Sequence, residues 1–297
     1  MFRQPHLFVR LGLIGAFFVV ILLSGSLVFA QTDEEYTPTV GQPGKDVVWV
    51  PTPEELVDRM LQMAEVTAED YVVDLGSGDG VITIAAARDF NARALGIEYN
   101  PDMVELAKRN AQRAGVADRV TFVHGDIFEE DFSSATVVTM YLLQQLNLRL
   151  RDTLLQMKPG TRLVSHAFDM GEWEADDTAT VKGRMAFLWI VPAQVDGTWH
   201  LSFPQGGQSV SATMAIEQEF QKFSGILSQQ GVFSQLNEPR LTGDTIEFVL
   251  SDSQGQQRRF RGTVEGNRMQ GTVSDPAGQM AEFYAERNVA GSSTRNR

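Results

Sequence analysis

Apolar and polar positions follow two different rhythms along this chain. From Val47 to about Pro192, apolar runs of strand length alternate with segments whose apolar residues recur at helical spacing, the βαβ signature of a parallel sheet. The runs YVVDL, RALGIEY, VTFVHGD, ATVVTMY and TRLVSHAF predict strands, with helices over Val81–Asp89, Pro101–Ala114 and Leu146–Met157 between them. An earlier helix has a start signal of its own: Thr52 as cap, Pro53 at the first helical position and Glu55 completing a Thr-x-x-Glu box. The run TATVKGRMAFLWIV, broken at Lys182-Gly183, predicts an antiparallel hairpin at the end of the sheet.

Beyond Ala193 the helical rhythm stops. Short alternating runs remain (GTWHLSF, SATMAIEQEFQKFSGILS, DTIEFVL, RRFRGTV, RMQGTVS and AEFYAER), with turns at Gly266-Asn267 and Pro276-Ala277-Gly278. They predict an all-β meander or barrel over residues 194–290, with Phe220, Ile226, Phe248, Phe260 and Phe283 as its packing. Gly197-Thr198-Trp199 resembles the Gly-x-Trp opening of lipocalins, with Arg287 placed to stack on Trp199. The Gly-Thr turns are more similar to β modules appended to exported bacterial enzymes, which implies an accessory or docking role. Residues 291–297 read as a disordered tail.

The first thirty residues carry Arg3 and Arg10, then an apolar run ending at Ala30. This is the pattern of an export signal cleaved after Ala30, or of a membrane anchor over residues 11–30, the ~20 residues that span a bilayer. Either way the arginines place the rest of the chain outside the cytoplasm. Residues 31–45 are polar and rich in Thr, Pro and Gly, as a linker is, and residues 46–193 form the first folded domain.

Composition narrows the chemistry. The 38 acidic residues outnumber 25 basic ones, for a net charge of −13, and such a surface repels a phosphate backbone, which argues against nucleic acid as partner. With no cysteine and four scattered histidines, thiolate chemistry is excluded and no metal site is expected.

The stretch DLGSGDG joins the first strand to its helix. A glycine turn there lets backbone N–H groups approach a ligand at a helix N-terminus. Gly76, Gly78 and Gly80 read GxGxG, whereas the dinucleotide fingerprint is GxGxxG, and Asp74 and Asp79 would repel a pyrophosphate. Acids at this turn suit a cationic ligand.

The same stretch resembles motif I of the class I S-adenosylmethionine-dependent methyltransferases. That resemblance implies a Rossmann-like sheet and S-adenosyl-L-methionine as cofactor. Asp74 would hold the methionine ammonium, and Glu98 at the end of the second strand the ribose hydroxyls. Asp126 would face the adenine amino group beside Ile127. Thr52, Gly76, Ser77, Gly78, Asp79, Gly80 and Tyr99 complete the implied cofactor site. VPTPEELVDRML, GIEYNP, VVTMYLLQQLNLRL and KPGTRLVSHAFDMGEW extend the likeness to the small lysine methyltransferases related to those of the ATP synthase c subunit and the adenine nucleotide translocase, over about Val47 to Pro192. What it implies is N-methylation of a protein lysine.

Ligands of open α/β sheets sit beyond the carboxyl ends of the strands, so an acceptor is expected near Tyr141, Asn147, His166 and Asp169. Tyr141 would orient the amine, or only cover the cofactor. His166 would take a proton, or be a hydrogen-bonded core residue, and Asn147 would face the acceptor or cap its helix. His124 reads as structural, and Glu172, Glu174, Asp176 and Asp177 as a solvated loop or an attractor for a basic tail. Export sits uneasily with a cofactor made in the cytosol. Three readings stay open: an anchor of the opposite orientation with the enzyme methylating a membrane protein from inside, an exported enzyme that obtains cofactor by leakage or acts before translocation, and an exported non-catalytic binding protein on this scaffold; a small-molecule methyltransferase is a separate alternative.

Overall fold

Two sheets carry the chain, one for each rhythm. The computed structural model describes residues 36–251 and 255–287; the export or anchor segment and the terminal tail lie outside the described residues. Among the described residues no helix is long and apolar enough to cross a membrane.

The first sheet is built from β1 (Tyr71–Leu75), β2 (Arg93–Glu98), β3 (Val120–His124), β4 (Val137–Met140), β5 (Arg162–His166), β6 (Asp177–Val181) and β7 (Arg184–Ile190), with helices α1 (Glu54–Met63), α2 (Val81–Phe90), α3 (Pro101–Arg113) and α4 (Gln144–Leu155). Its order is β3-β2-β1-β4-β5-β7-β6. The first five strands run parallel and the β6–β7 hairpin closes the edge antiparallel, as the sequence predicts. Successive residues of β1 serve opposite faces: Val72 joins the core under α1, α2 and α3, while Val73 and Leu75 join the core under α4. The sheet reverses its order between β1 and β4, so a crevice opens above their carboxyl ends.

Three helix starts can be compared with the sequence pattern. α1 begins at Glu54 with no side-chain cap; the Thr52 hydroxyl is drawn instead to His166 Nδ1 at 3.1 Å. α4 begins two residues earlier than its apolar spacing indicated, at Gln144. Asn147 therefore lies inside the helix and caps nothing. α3 starts as read, with Asn100 accepting from Asp102 N at 2.9 Å and Pro101 at the first position.

The second sheet contains β8 (Gly197–Gln205), β9 (Gln208–Glu219), β10 (Lys222–Gln229), β11 (Val232–Gln235), β12 (Asn237–Thr242), β13 (Thr245–Ser251), β14 (Gln257–Glu265), β15 (Arg268–Ser274) and β16 (Met280–Arg287). It is antiparallel throughout, in the order β11-β10-β9-β8-β16-β15-β14-β13-β12, and curls into a nearly closed barrel. Its interior is filled by side chains: Phe248 and Phe260 stack at 4.8 Å between ring centroids, and Phe203 and Phe283 meet Phe260 edge-on at 5.3 Å. Arg287 lies over Trp199, 4.6 Å from the ring, and donates to the carbonyls of Gln194, Asp196 and Gly266, tying the end of the barrel to its start.

Three readings of this half need correction. The run from Ser211 to Ser228 is not one strand; it folds back at Phe220-Gln221 into β9 and β10. The strands β11 and β12 carry weak apolar patterning, and Pro239 disguises β12, which tolerates it as an edge strand with a register shift between Asn237 and Arg240. Ile226 is half exposed, not core, and Phe220 turns away from the barrel to stack on Trp173 of the first half.

Candidate active site

The crevice above β1 and β4 is a single cleft lined by Asp74, Gly76, Ser77, Gly78, Asp79, Glu98, Tyr99, Asp126 and Ile127 on one side and by Tyr141, Leu142, Leu143, Leu146 and Phe168 on the other. β1 places Asp74 at its floor, where the carboxylate is almost fully buried and accepts from Thr139 Oγ1 at 2.7 Å. Burial pushes its pKa up to about 7 and the neighbouring charges of Glu98 and Asp79 push the same way, the Thr139 bond only partly opposing them. Asp79 is raised too, again by burial.

Glu98 ends β2 with both oxygens engaged: Oε2 accepts from Gly78 N at 2.9 Å and Oε1 from Asn100 N at 2.8 Å. A carboxylate has about four lone-pair sites, so two remain for a ligand. The bond to Gly78 also fixes the glycine turn.

The turn needs its glycines for two separate reasons. Gly76 and Gly78 have positive φ, 76° and 55°, and face the cleft. A Cβ on Gly78 would lie 2.7 Å from Trp49 Nε1. Gly80, at φ 84°, points the other way: its Cβ would meet Phe122 Cζ at 2.6 Å. Gly80 is thus a packing residue under β3 and not part of the cofactor wall. The Ser77 hydroxyl is buried without a hydrogen-bond partner.

A feature the sequence pattern concealed covers this cleft. Residues 41–49, read as linker and the start of the first domain, form a small arm held by Trp49 N to Gln42 O at 3.0 Å, Gly41 N to Trp49 O at 2.8 Å and a bridge between Pro43 and Val48. Lys45 on this arm pairs with Asp126 and lies 4.7 Å from the centre of the Tyr99 ring. The pairing holds the Asp126 carboxyl below the usual range, with the Phe128 N–H assisting. Thr52, three residues beyond the arm, also lines the cleft.

On the acceptor side only Tyr141 among the three expected catalytic residues reaches the cleft. His166 lies behind it, buried, its ring stacked on Tyr141 at 3.7 Å. Burial, with Arg184 adding to it, lowers the imidazole to about 4, so His166 is neutral at physiological pH, and its ring does not line the cleft. Its position corrects the expectation of a general base. Asn147 is corrected likewise: fully buried, it donates through Nδ2 to Ser165 Oγ at 3.1 Å and to the Phe168 carbonyl at 3.0 Å, pinning the loop after β5. Asp169 accepts from Gln144 Nε2 at 2.7 Å and from Gly171 N at 3.0 Å, also holding that loop. His124 contacts Tyr99 edge-on at 6.0 Å.

A methionine-nucleoside sulfonium fits these residues. The buried Asp74 carboxylate, short of partners and crowded by two further acids, is suited to an ammonium; the glycine cradle leaves room that a Cβ would fill; Glu98 retains acceptors for a diol. No metal-binding cluster occurs among the described residues. Sheet order and strand-end acids together define a class I S-adenosylmethionine-dependent methyltransferase.

Comparison with known proteins narrows the class. The family model of the ANTKMT methyltransferase domain matches residues 74–177. A protein-lysine N-methyltransferase of Saccharolobus islandicus is 46% identical over 151 residues, which are 49% of this chain and 94% of that protein. The mouse lysine N-methyltransferase of the ATP synthase c subunit is 31% identical over 131 residues, and the mouse adenine nucleotide translocase lysine N-methyltransferase 36% over 104. These matches take up 44% and 35% of this chain, and it spans about half the length of the two mouse enzymes, 52% and 45%. A crystal structure of an RNA methyltransferase from Salinibacter ruber with S-adenosyl-L-homocysteine is 52% identical, covering 49% of this chain and 96% of that one, with a TM-score of 0.48. The chain belongs to the S-adenosylmethionine-dependent methyltransferases, in the family of the small lysine methyltransferases it matches.

Proposed function

We propose that this enzyme methylates a lysine side chain of a protein. The observation that carries the reading is the single cleft in which three strand-end acids converge on one side and an apolar wall with Tyr141 stands on the other. The 46% identity to a protein named for lysine N-methylation supports the choice of acceptor.

When bound, S-adenosylmethionine supplies an electrophilic methyl group on a sulfonium. Asp74 would hold its ammonium, Glu98 its ribose and Asp126 its adenine edge once Lys45 yields. The chain's own task is to deliver a neutral amine in line. Leu142, Leu143, Leu146 and Phe168 line the cleft beside Tyr141, and their apolar surface excludes water and favours the uncharged form of a lysine. Tyr141, braced from behind by His166, presents its ring and hydroxyl to that amine. The proton of the ammonium is shed to solvent before entry, since no side chain on the acceptor wall is fitted to take it.

The assay is transfer from tritiated S-adenosylmethionine to a cell extract, followed by hydrolysis. Label in methylated lysine is the expected result. Label in RNA, or only in small molecules, would overturn the lysine reading. In the same assay His166→Gln is expected to retain turnover within a few-fold, where loss of a general base removes ~100-fold or more. Tyr141→Ala is expected to lose most turnover while S-adenosylhomocysteine affinity, read by calorimetry, is kept. For residues 11–30 we propose a membrane anchor or export signal, which N-terminal sequencing of the mature protein distinguishes: a chain beginning at Gln31 has lost a signal, and one that keeps the segment is anchored.

A further inference from the structure

The barrel half has no partner in a relative that is matched over 94% of its length by 49% of this chain, yet it packs on a loop whose start lines the acceptor side of the cleft. The link is the loop between β5 and β6. At its start, Phe168 lines the cleft and is held by Asn147. At its far end, Trp173 is buried between Trp189, 6.2 Å away, and Phe220 of the barrel, 6.0 Å away with the rings within 9° of parallel.

Phe220 sits at the tip of the β9–β10 hairpin with φ 53°, a left-handed backbone that a bulky side chain adopts only at a cost of about 1 kcal/mol or more. Tight hairpins place Gly or Asn there. Here the strained residue is the one whose ring covers Trp173. Polar contacts reinforce the junction: Gln221 Nε2 donates to the Glu174 carbonyl at 2.8 Å and Lys222 pairs with Glu174 at 2.7 Å. Arg151 lies over the Phe220 ring at 5.4 Å and donates to the Met170 carbonyl at 3.1 Å.

We infer that Phe220 is a positioning residue for methyl transfer: through Trp173, the barrel holds the loop that shapes the acceptor wall of the cleft. This rests on the cleft being the methyltransferase site. The acids that face the cofactor lie on β1, β2 and the loops after β1 and β3, away from the loop that Trp173 anchors, so the effect belongs to the acceptor alone.

The experiment uses the full chain and the variants Phe220→Ala, Phe220→Tyr and Lys222→Glu. Three readouts are followed: S-adenosylhomocysteine affinity, hydrogen–deuterium exchange along residues 168–174, and tritium transfer to the cell extract. Phe220→Ala is expected to raise exchange in the loop and lower transfer about tenfold or more, as displacement of about an ångström does, with affinity unchanged. Phe220→Tyr restores both, and Lys222→Glu raises exchange less than Phe220→Ala. Unaltered loop exchange in Phe220→Ala overturns the inference. Loss of S-adenosylhomocysteine binding overturns it too, because the barrel would then support the whole sheet. If wild-type protein labels no lysine, the lysine reading fails on its own, while affinity and exchange still decide the role of Phe220.

Discussion

Asp74→Asn is expected to lose S-adenosylhomocysteine affinity by about 100-fold or more while making the ligand-free protein more stable at pH 8. Both effects come from one buried charge. With the carboxyl at about 7 in the folded protein against ~3.9 in an unfolded chain, the native state binds the extra proton between those values. Stability contributed by that proton is fully present below about pH 4 and is lost as the pH rises to about 7, a total on the order of 4 kcal/mol. Asparagine is neutral throughout and can still accept from Thr139. The stability gap between variant and wild type should therefore be near zero at pH 4 and widen until about pH 7. The cofactor ammonium reverses the cost by giving the carboxylate its missing partner, so wild-type affinity should weaken below pH 7. Denaturant titrations at several pH values, with calorimetry beside them, provide both curves. A variant that keeps its affinity would remove Asp74 from the ammonium site. A gap that does not change with pH would mean the carboxylate is already ionised in the ligand-free protein.

The acids that matter here were legible because each is fixed by something local. Asp74 and Glu98 lie at the carboxyl ends of β1 and β2 and Asp126 two residues beyond β3, after apolar runs that are unmistakable, and the carboxyl end of a strand above an open sheet is a binding position whatever the ligand. The hairpin at Lys182-Gly183 was legible for the same reason, since turn chemistry and pattern agree. What the sequence hid depends on contacts far along the chain. Lys45 lies 81 residues from Asp126, within a Thr- and Pro-rich stretch that reads as linker, and only folding brings the two together. His166 illustrates the opposite error. A histidine at a strand end beside a cleft suggests a base, yet its orientation behind Tyr141 and its bond to Thr52 make it a brace. Thr52 in turn has the residue type and spacing of a cap, but its hydroxyl has one partner and the histidine takes it. An aromatic such as Phe220 in a β-rich half reads as barrel core, yet its left-handed backbone turns it outward to the other sheet.

Gly80→Ala separates packing from ligand contact within the same seven-residue motif. At φ 84° an alanine is strained by about 1–2 kcal/mol. The added Cβ would also press on Phe122 at 2.6 Å and on Ala107 Cβ at 3.2 Å, and overpacking of this kind costs about 1–3 kcal/mol more. A loss of about 2–5 kcal/mol of stability follows, or roughly 5–15 °C in melting temperature for a protein of this size. Cofactor affinity of the folded protein should stay within about threefold of wild type, because the methyl group enters the core under β3 and not the cleft. Phe122→Leu in the Gly80→Ala background should recover part of the packing loss and none of the backbone strain. Gly78→Ala should behave in the opposite way: its Cβ meets the Trp49 indole, which the exposed arm can move, so stability falls less and affinity more. Were Gly80→Ala to abolish binding at an unchanged melting temperature, the third glycine would belong to the cofactor site and the division drawn between the two sides of the turn would be wrong.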